Sequence, residues 1–412
     1  IPSELRDTAL RLCEKEILYP SSVPVQLSEE QKLKTYPCQH FYSAVWSLTG
    51  RCNFRCKHCF LSAPGAKFGE PTTEECLSII SQLSDCGIRQ ISLTGGEALL
   101  RTDFYRLLDA LSAHHIRVIN IASNGLLVTE QLLDQLEDRG MHPAFYMSFD
   151  GVGWHDWLRG IDGAERMLMD RFTLLSRRGF KTGSAMTLHR RNLAVLRDSV
   201  NQLASVGCQH VITNRAIGLG EWEKNGSDLT LSVRELFDAY LEYIPQYYAD
   251  KKPVKLTLNR FFEAAPGSDK YEIIPIKKCS DPDNTHLCSS TCHVLYLSSD
   301  SRIDPCSYIS ASESIHEKMP NVMEKGLLNS VRDQSYFDLA GATMADYFTH
   351  NPECAACEYR DQCLGGCRAQ ALTEQQEDYF AKDPASCLFF KAGYREKLRH
   401  MLAETAPGET EQ

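Results

Sequence analysis

Between residues 41 and about 215, short apolar runs alternate with longer segments in which apolar residues recur every three or four positions. The runs at 43–48, 90–93, 118–122, 144–148, 183–187 and 210–213 read as strands. The segments between them, 72–86, 102–114, 129–138, 164–178 and 193–206, read as amphipathic helices. The first helix opens with Thr72 and Glu75 spaced as a capping box and closes at Gly87. Six strands alternating with helices predict a parallel α/β unit, either an open sheet or a partial barrel.

The polar residues sort by position. The loop carrying Cys52, Cys56 and Cys59 follows the first strand, and Thr94-Gly95-Gly96-Glu97 follows the second. Ser123-Asn124-Gly125 follows the third, Ser148-Phe149-Asp150-Gly151 ends the fourth, and Thr187 and Asn214-Arg215 end the fifth and sixth. All lie at carboxyl ends of strands, where barrel active sites are built. Beyond this unit, polar residues 220–230 break the alternation and a helical bridge runs to about residue 248. The expected organisation is an amino-terminal extension (1–40), the α/β unit (41–230), a bridge (231–278), a cysteine-rich domain (279–400) and a disordered tail (401–412) rich in Glu, Thr, Pro and Gly.

At 412 residues the chain suffices for two or three domains, and its 43% apolar and 24% charged content is that of a globular protein. No apolar run approaches membrane-span length, and no basic-then-apolar signal opens the chain. A net charge of −10 argues against nucleic acid or an anionic membrane as the main partner. The 17 cysteines, without a secretory signal, point to metal binding in a reducing cytoplasm rather than to disulfides. Cys13, Cys38, Cys76, Cys86, Cys208 and Cys279 fall outside spacing patterns and read as small buried hydrophobes.

Cys52-x3-Cys56-x2-Cys59 offers three thiolates to a centre that wants four. An iron–sulfur cluster held this way keeps one iron open to an outside ligand. The alternatives are a zinc site, which normally closes its shell with four protein ligands, or three buried thiols.

This spacing, with Phe60 directly after the third cysteine, resembles the radical S-adenosylmethionine (SAM) superfamily. The resemblance implies a partial (β/α)6 barrel and a [4Fe–4S] cluster on Cys52, Cys56 and Cys59. The open iron would chelate SAM, and one electron would release a 5′-deoxyadenosyl radical that abstracts hydrogen from substrate. It also implies SAM contacts from Phe60, Gly95, Gly96, Glu97, Ser123, Asn124, Ser148, Asp150 and Thr187, with the Arg159 guanidinium on the SAM carboxylate. Here Ala98 stands where the family usually has proline. An ordinary ion pair for Arg159, and a turn role for Asp150 and for Ser123-Asn124-Gly125, are the alternatives.

A second constellation, Cys354-x2-Cys357-x5-Cys363-x3-Cys367 and then Cys387, is preceded by Cys288, Cys292 and Cys306. It resembles the SPASM extension of radical SAM enzymes, which usually holds two auxiliary four-iron clusters, for three clusters in all. By position, Cys354, Cys357, Cys363 and Cys387 would hold the outer one, and Cys288, Cys306, Cys367 and Cys292 the inner one, with Cys279 competing for the last place. Two zinc sites are the alternative. Auxiliary clusters favour net-oxidative chemistry, because product formation after hydrogen abstraction often requires loss of a further electron. The extension accompanies cross-linking or dehydrogenation of ribosomally made peptides, so the expected partners are a precursor peptide, a reducing protein such as flavodoxin or ferredoxin, and a separate leader-binding protein. Sulfatase-type maturation is disfavoured, because Ser307 stands where that group has an aspartate. Dehydrogenation or epimerisation of a small molecule or protein side chain, and a non-catalytic electron-transfer protein, are the other readings. Arg215, Trp222 and Tyr308 are candidate cleft residues, and Tyr308 and His293 candidate bases.

Overall fold

The computed structural model describes residues 41–274, 279, 281–288, 290–374 and 378–411, together with Leu10 and Cys13. The chain divides into two compact units, Ile1–Tyr36 and Pro37–Gln412. The first contributes only Leu10 and Cys13, both helical, and the rest of the expected extension 1–40 lies outside the described residues.

In the second unit the six expected strands form β1 (Ser43–Ser47), β2 (Gln90–Thr94), β3 (Arg117–Ser123), β4 (Ala144–Ser148), β5 (Thr182–Leu188) and β6 (His210–Arg215). Each pairs in parallel with the next. Alternate residues face opposite sides of the sheet. Ala44, Trp46, Ile91, Leu93, Ile121, Phe145, Met147 and Met186 enter the buried core. Their neighbours Val45, Ser92, Asn120, Ala122, Tyr146 and Ala185 line the concave cavity. The helices cover the apolar face. Thr73–Asp85 starts at the expected capping box, with Thr72 and Glu75 bonding reciprocally, and buries Cys76, Ile79, Ile80 and Leu83.

The sheet crosses the domain boundaries expected from sequence. β7 (Lys255–Leu258), from the bridge, extends it in parallel beyond β6, followed by the antiparallel β8 (Phe262–Ala264) and β9 (Lys270–Ile273). On the opposite edge, β10 (Val294–Leu297), from the cysteine-rich part, pairs in parallel with β1 and carries the short β11 (Ile303–Asp304). The bridge and the cysteine-rich part are thus welded to the barrel by backbone ladders rather than hung from it.

The carboxyl terminus corrects the expectation of a disordered tail. The last helix, Tyr394–Thr405, runs into that segment, and β12 (Thr410–Glu411) pairs in parallel with β9. Glu409 accepts from Tyr248 Oη at 2.8 Å and pairs with Lys252, and Arg399 Nε meets Glu411 at 2.9 Å. A polar composition here reflects ion pairing along a sheet edge. Among the described residues, no helix is long and apolar enough to cross a membrane.

Candidate active site

A cavity of ≈520 Å³ opens at the carboxyl ends of the barrel strands. Its lining includes Cys52, Cys56, Cys59 and Phe60 from the cysteine loop, Gly95, Gly96, Ser123, Asn124, Ser148 and Thr187 from the strand ends, and Arg159, Arg215, Ser307 and Tyr308. Most residues expected at the site therefore meet around one space.

Backbone contacts shape the cysteine loop. Gly96 N donates to Thr49 O at 2.7 Å and Glu97 N to Arg51 O at 2.8 Å. A β-carbon on Gly96 would lie 2.2 Å from Arg51 O, and one on Gly95 2.6 Å from Thr49 O. The glycine pair thus lets the loop after β2 nest against the cysteine loop. Lys57 N donates to Leu158 O at 2.8 Å, pinning the other side of the loop to the short helix His155–Arg159.

Two carboxylates stand behind the cavity wall. Glu97 is fully buried and accepts from Ser123 Oγ at 3.1 Å, Asn124 N at 2.8 Å and Leu99 N at 3.2 Å. Burial pushes its carboxyl up to about 7 against these hydrogen bonds. Asp150, also fully buried, accepts from Arg159 Nε at 2.6 Å and Thr187 N at 3.0 Å. Burial alone would raise its carboxyl, but the Arg159 charge holds it well below the usual range. Asp150 therefore aims Arg159, whose Nη1 points to Cys56 Sγ at 3.6 Å. Neither Glu97 nor Asp150 is among the residues facing the cavity.

The chemistry of the donor set fits a cationic cluster. Burial pushes the Cys52 thiol up to about 11 and raises those of Cys56 and Cys59. Such thiols become thiolates only beside compensating positive charge, which iron supplies. Among the described residues no three Cys, His, Asp or Glu side chains converge on a point for a single ion; the thiols instead rim the cavity. His58, missed from sequence, lines the same cavity with a buried Nδ1 that has no hydrogen-bond partner among the described residues. Burial lowers its imidazole to about 3.

The second constellation separates into two groups. Cys354, Cys357, Cys363 and Cys387 line a ≈120 Å³ cavity walled by Tyr347, Phe348, Tyr359 and Phe390. Cys288, Cys306 and Cys367 lie within electrostatic reach of one another. Burial pushes Cys306 and Cys363 up to about 12. Cys279 Sγ lies 2.9 Å from Thr285 Oγ1, and the Cys292 side chain is outside the described residues.

Of the candidate cleft residues, Tyr308 stacks on Phe60 with ring centroids 5.0 Å apart, and Arg215 pairs with Glu374. Trp222 corrects the expectation. It is fully buried against Leu158 and Ala216, with its indole N–H on Thr230 Oγ1 at 2.8 Å, because the segment after β6 folds back on the barrel. His293 is exposed and does not face the cavity.

A parallel barrel whose mouth gathers a Cys-x3-Cys-x2-Cys loop defines a class. Residues 46–203 match the Radical SAM superfamily profile. The chain carries a radical SAM domain and is an enzyme of that superfamily, with a cysteine-rich carboxyl-terminal part that fits a SPASM-like domain. It is similar to the AdoMet-dependent heme synthase of Oleidesulfovibrio alaskensis, 26% identical over 360 residues, covering 82% of this chain and 85% of that protein. It is similar to the mycofactocin maturase MftC of Mycobacterium tuberculosis, 26% identical over 338 residues, covering 79% and 78%. Among solved structures it resembles Streptococcus suis SuiB bound to precursor peptide SuiA, with a TM-score of 0.67 at 17% identity over 93% of this chain and 87% of that one. The superfamily uses SAM and a [4Fe–4S] cluster.

Proposed function

We propose that this enzyme oxidatively cross-links or dehydrogenates a ribosomally made peptide, with Cys52, Cys56 and Cys59 holding the SAM-binding [4Fe–4S] cluster. The observation that carries the reading is that one cavity is bounded by the first cysteine loop and by Ser307 and Tyr308, immediately after Cys306 of the second set. Hydrogen abstraction and subsequent electron removal would then occur in adjoining spaces. Bound SAM and cluster would supply the 5′-deoxyadenosyl radical.

The chain's own residues hold the ligand and exclude water. Arg159, aimed by Asp150, offers its remaining donors to a carboxylate. Gly95, Gly96, Ser123, Asn124, Ser148 and Thr187 supply polar contacts, and Phe60 on Tyr308 forms an apolar wall. Glu97 and Asp150 serve by fixing Ser123, Asn124, Thr187 and Arg159 in place. Cys354, Cys357, Cys363 and Cys387 would hold an outer auxiliary cluster, and Cys288, Cys306, Cys367 and Cys292 an inner one. A flavodoxin- or ferredoxin-like protein would deliver the initiating electron, and a separate leader-binding protein could present the peptide. Similarity to a protein named a maturase, and to one solved with its precursor peptide, supports a peptide substrate.

Oxidation of a small molecule is the second reading, supported by similarity to a heme synthase over 82% of the chain. The test is intact-mass analysis of the short peptide encoded nearest the gene. It is incubated anaerobically with reconstituted enzyme, SAM and reductant in deuterated water. Loss of two hydrogens per event establishes oxidative peptide modification, and gain of one deuterium establishes epimerisation. An unchanged peptide beside steady 5′-deoxyadenosine formation moves the substrate to small molecules and other proteins. Replacing Cys52, Cys56 and Cys59 by Ala should abolish 5′-deoxyadenosine formation while auxiliary iron stays bound; retained cleavage would sink the ligand assignment.

A further inference from the structure

Arg260 occupies the turn between β7 and β8 with φ +62°, a left-handed conformation that is unfavourable for a residue bearing a β-carbon. Such strain persists only where the surroundings over-determine it. The surroundings do so. Phe261 is fully buried and packs on Phe237 and Phe389, with ring centroids 4.8 Å and 5.7 Å away, which drives Arg260 inward.

Its guanidinium enters the cysteine-rich part. Nη2 donates to Ser386 Oγ at 2.7 Å and pairs with Asp383 Oδ2 at 2.5 Å. Asp383 is buried and touches both ligand sets. Its Oδ2 accepts Cys367 N at 2.9 Å, and its Oδ1 accepts Ala385 N at 3.0 Å, capping the helix Pro384–Lys391 that carries Cys387. Arg260 itself lies in hydrogen-bond reach of Cys367 and in electrostatic reach of Cys363. Its Nη1 is buried, with no hydrogen-bond partner among the described residues.

Other cations act on single ligand sets: Arg368 on Cys288, and Lys382 and Lys391 on Cys387. Arg368 donates through Nη1 and Nη2 to the carbonyls of Gly365, Tyr379 and Ala381, and its charge reaches Cys288 of the inner set. Lys382 pairs with Glu353 at the rim, and Arg360 with Asp283 at 2.7 Å. Arg260 thus keeps one buried donor, Nη1, that is without a hydrogen-bond partner among the described residues. In an aromatic-walled, water-poor surrounding a charge is weakly screened. Positive charge and N–H donors near cluster sulfur favour the reduced state and raise its potential.

We propose that Arg260 sets the reduction potential of the auxiliary clusters, as one buried cation shared between the inner ligand Cys367 and the outer ligand Cys363, with Asp383 as its opposing charge. This inference rests on the reading of those cysteines as cluster ligands. Arg260 is a tuning residue and touches no substrate.

The test compares full-length, anaerobically reconstituted wild type with Arg260→Gln, Arg260→Lys and Asp383→Asn. Iron and sulfide are assayed, and auxiliary midpoints are read by EPR-monitored potentiometric titration. Arg260→Gln should keep its iron and shift the midpoint negative. At the wild-type midpoint its oxidised-to-reduced ratio should rise roughly tenfold, about 59 mV for a one-electron couple. Arg260→Lys should recover most of the shift, and Asp383→Asn should move the midpoint in the positive direction. Full iron with an unmoved midpoint in Arg260→Gln overturns the proposal. If Arg260→Gln loses auxiliary iron, Asp383→Asn decides: a positive shift supports the proposal, and no shift or a negative one overturns it. Wild-type enzyme with iron for a single cluster would overturn the ligand reading, and this inference with it.

Discussion

A methyl group on Gly96 would collide with Arg51 O, which belongs to the loop that presents Cys52. From sequence the Gly-Gly pair looks like a place for ligand to approach backbone; in the fold its first duty is backbone against backbone. Gly96→Ala should therefore displace the cysteine loop and lower the rate of 5′-deoxyadenosine formation by roughly 100-fold, the usual penalty for misplacing reacting groups by about an ångström. Near-normal rates, measured by chromatography of the nucleoside, would show that the loop yields freely. His316 offers a pH test at the same scale. Its Nδ1 meets Asp304 at 2.9 Å and its Nε2 meets Asp300 at 2.8 Å, with Arg302 beside Asp300 at 3.4 Å and the Phe68 ring packed edge-on. Burial lowers its affinity for a proton, but the two aspartates win and push it up to about 9 from 6.5. A raised folded-state value stabilises fully below about 6.5 and is lost as pH rises through about 9. His316→Gln should thus lower Tm more at pH 6.5 than at pH 9.5, by about 2 kcal/mol of differential stability. Equal Tm losses at the two pH values would remove the ion network from the account.

At the scale of elements, what could be read from the chain was what local pattern determines. Strands β2 to β6 were legible because their core-facing residues alternate with cavity-facing ones, and the helix Thr73–Asp85 because its cap is written into Thr72 and Glu75. The cysteine groupings came from the family resemblance and not from spacing, since Cys363 and Cys367 are close in sequence yet stand in different groups. β10 was not, since Val294–Leu297 is a four-residue run whose partner lies some 250 positions earlier. The resemblance made Glu97 and Asp150 ligand contacts, whereas in the fold they are buried behind the cavity lining, because the direction of a side chain at a strand end depends on the next loop. The tail was misread because its charges find partners only in three dimensions. Deleting residues 407–412 should remove the β9–β12 ladder and the Glu409 and Glu411 contacts, costing about 1–2 kcal/mol and a few degrees of Tm. An unchanged Tm by calorimetry would return the segment to the status of a loose end.

For the whole molecule, the decisive feature is that β10 covers the outer edge of β1, the strand that delivers the cysteine loop. An uncovered β1 would present unpaired backbone N–H and C=O groups beside an apolar core, the arrangement that sheets avoid at their edges. Further ties cross the same seam: Leu327 N donates to Gln82 Oε1 at 2.7 Å, and Ser299 Oγ to Phe68 O at 3.1 Å. Tyr296 and Tyr308 from the cysteine-rich part complete the cavity wall. The two parts therefore share one sheet, and the cavity proposed to hold SAM is built with residues from the part proposed to carry electrons away. A fragment spanning 37–278, which keeps every residue of the superfamily match but lacks β10, should aggregate or unfold without a cooperative transition. Size-exclusion chromatography and thermal melts followed by circular dichroism provide the measurement. A monomeric fragment that melts cooperatively and forms 5′-deoxyadenosine at the full-length rate would show that the barrel stands alone and that the shared sheet is incidental. Failure of the fragment, with recovery on supplying residues 279–412 as a second chain, would locate the dependence in the β1–β10 edge.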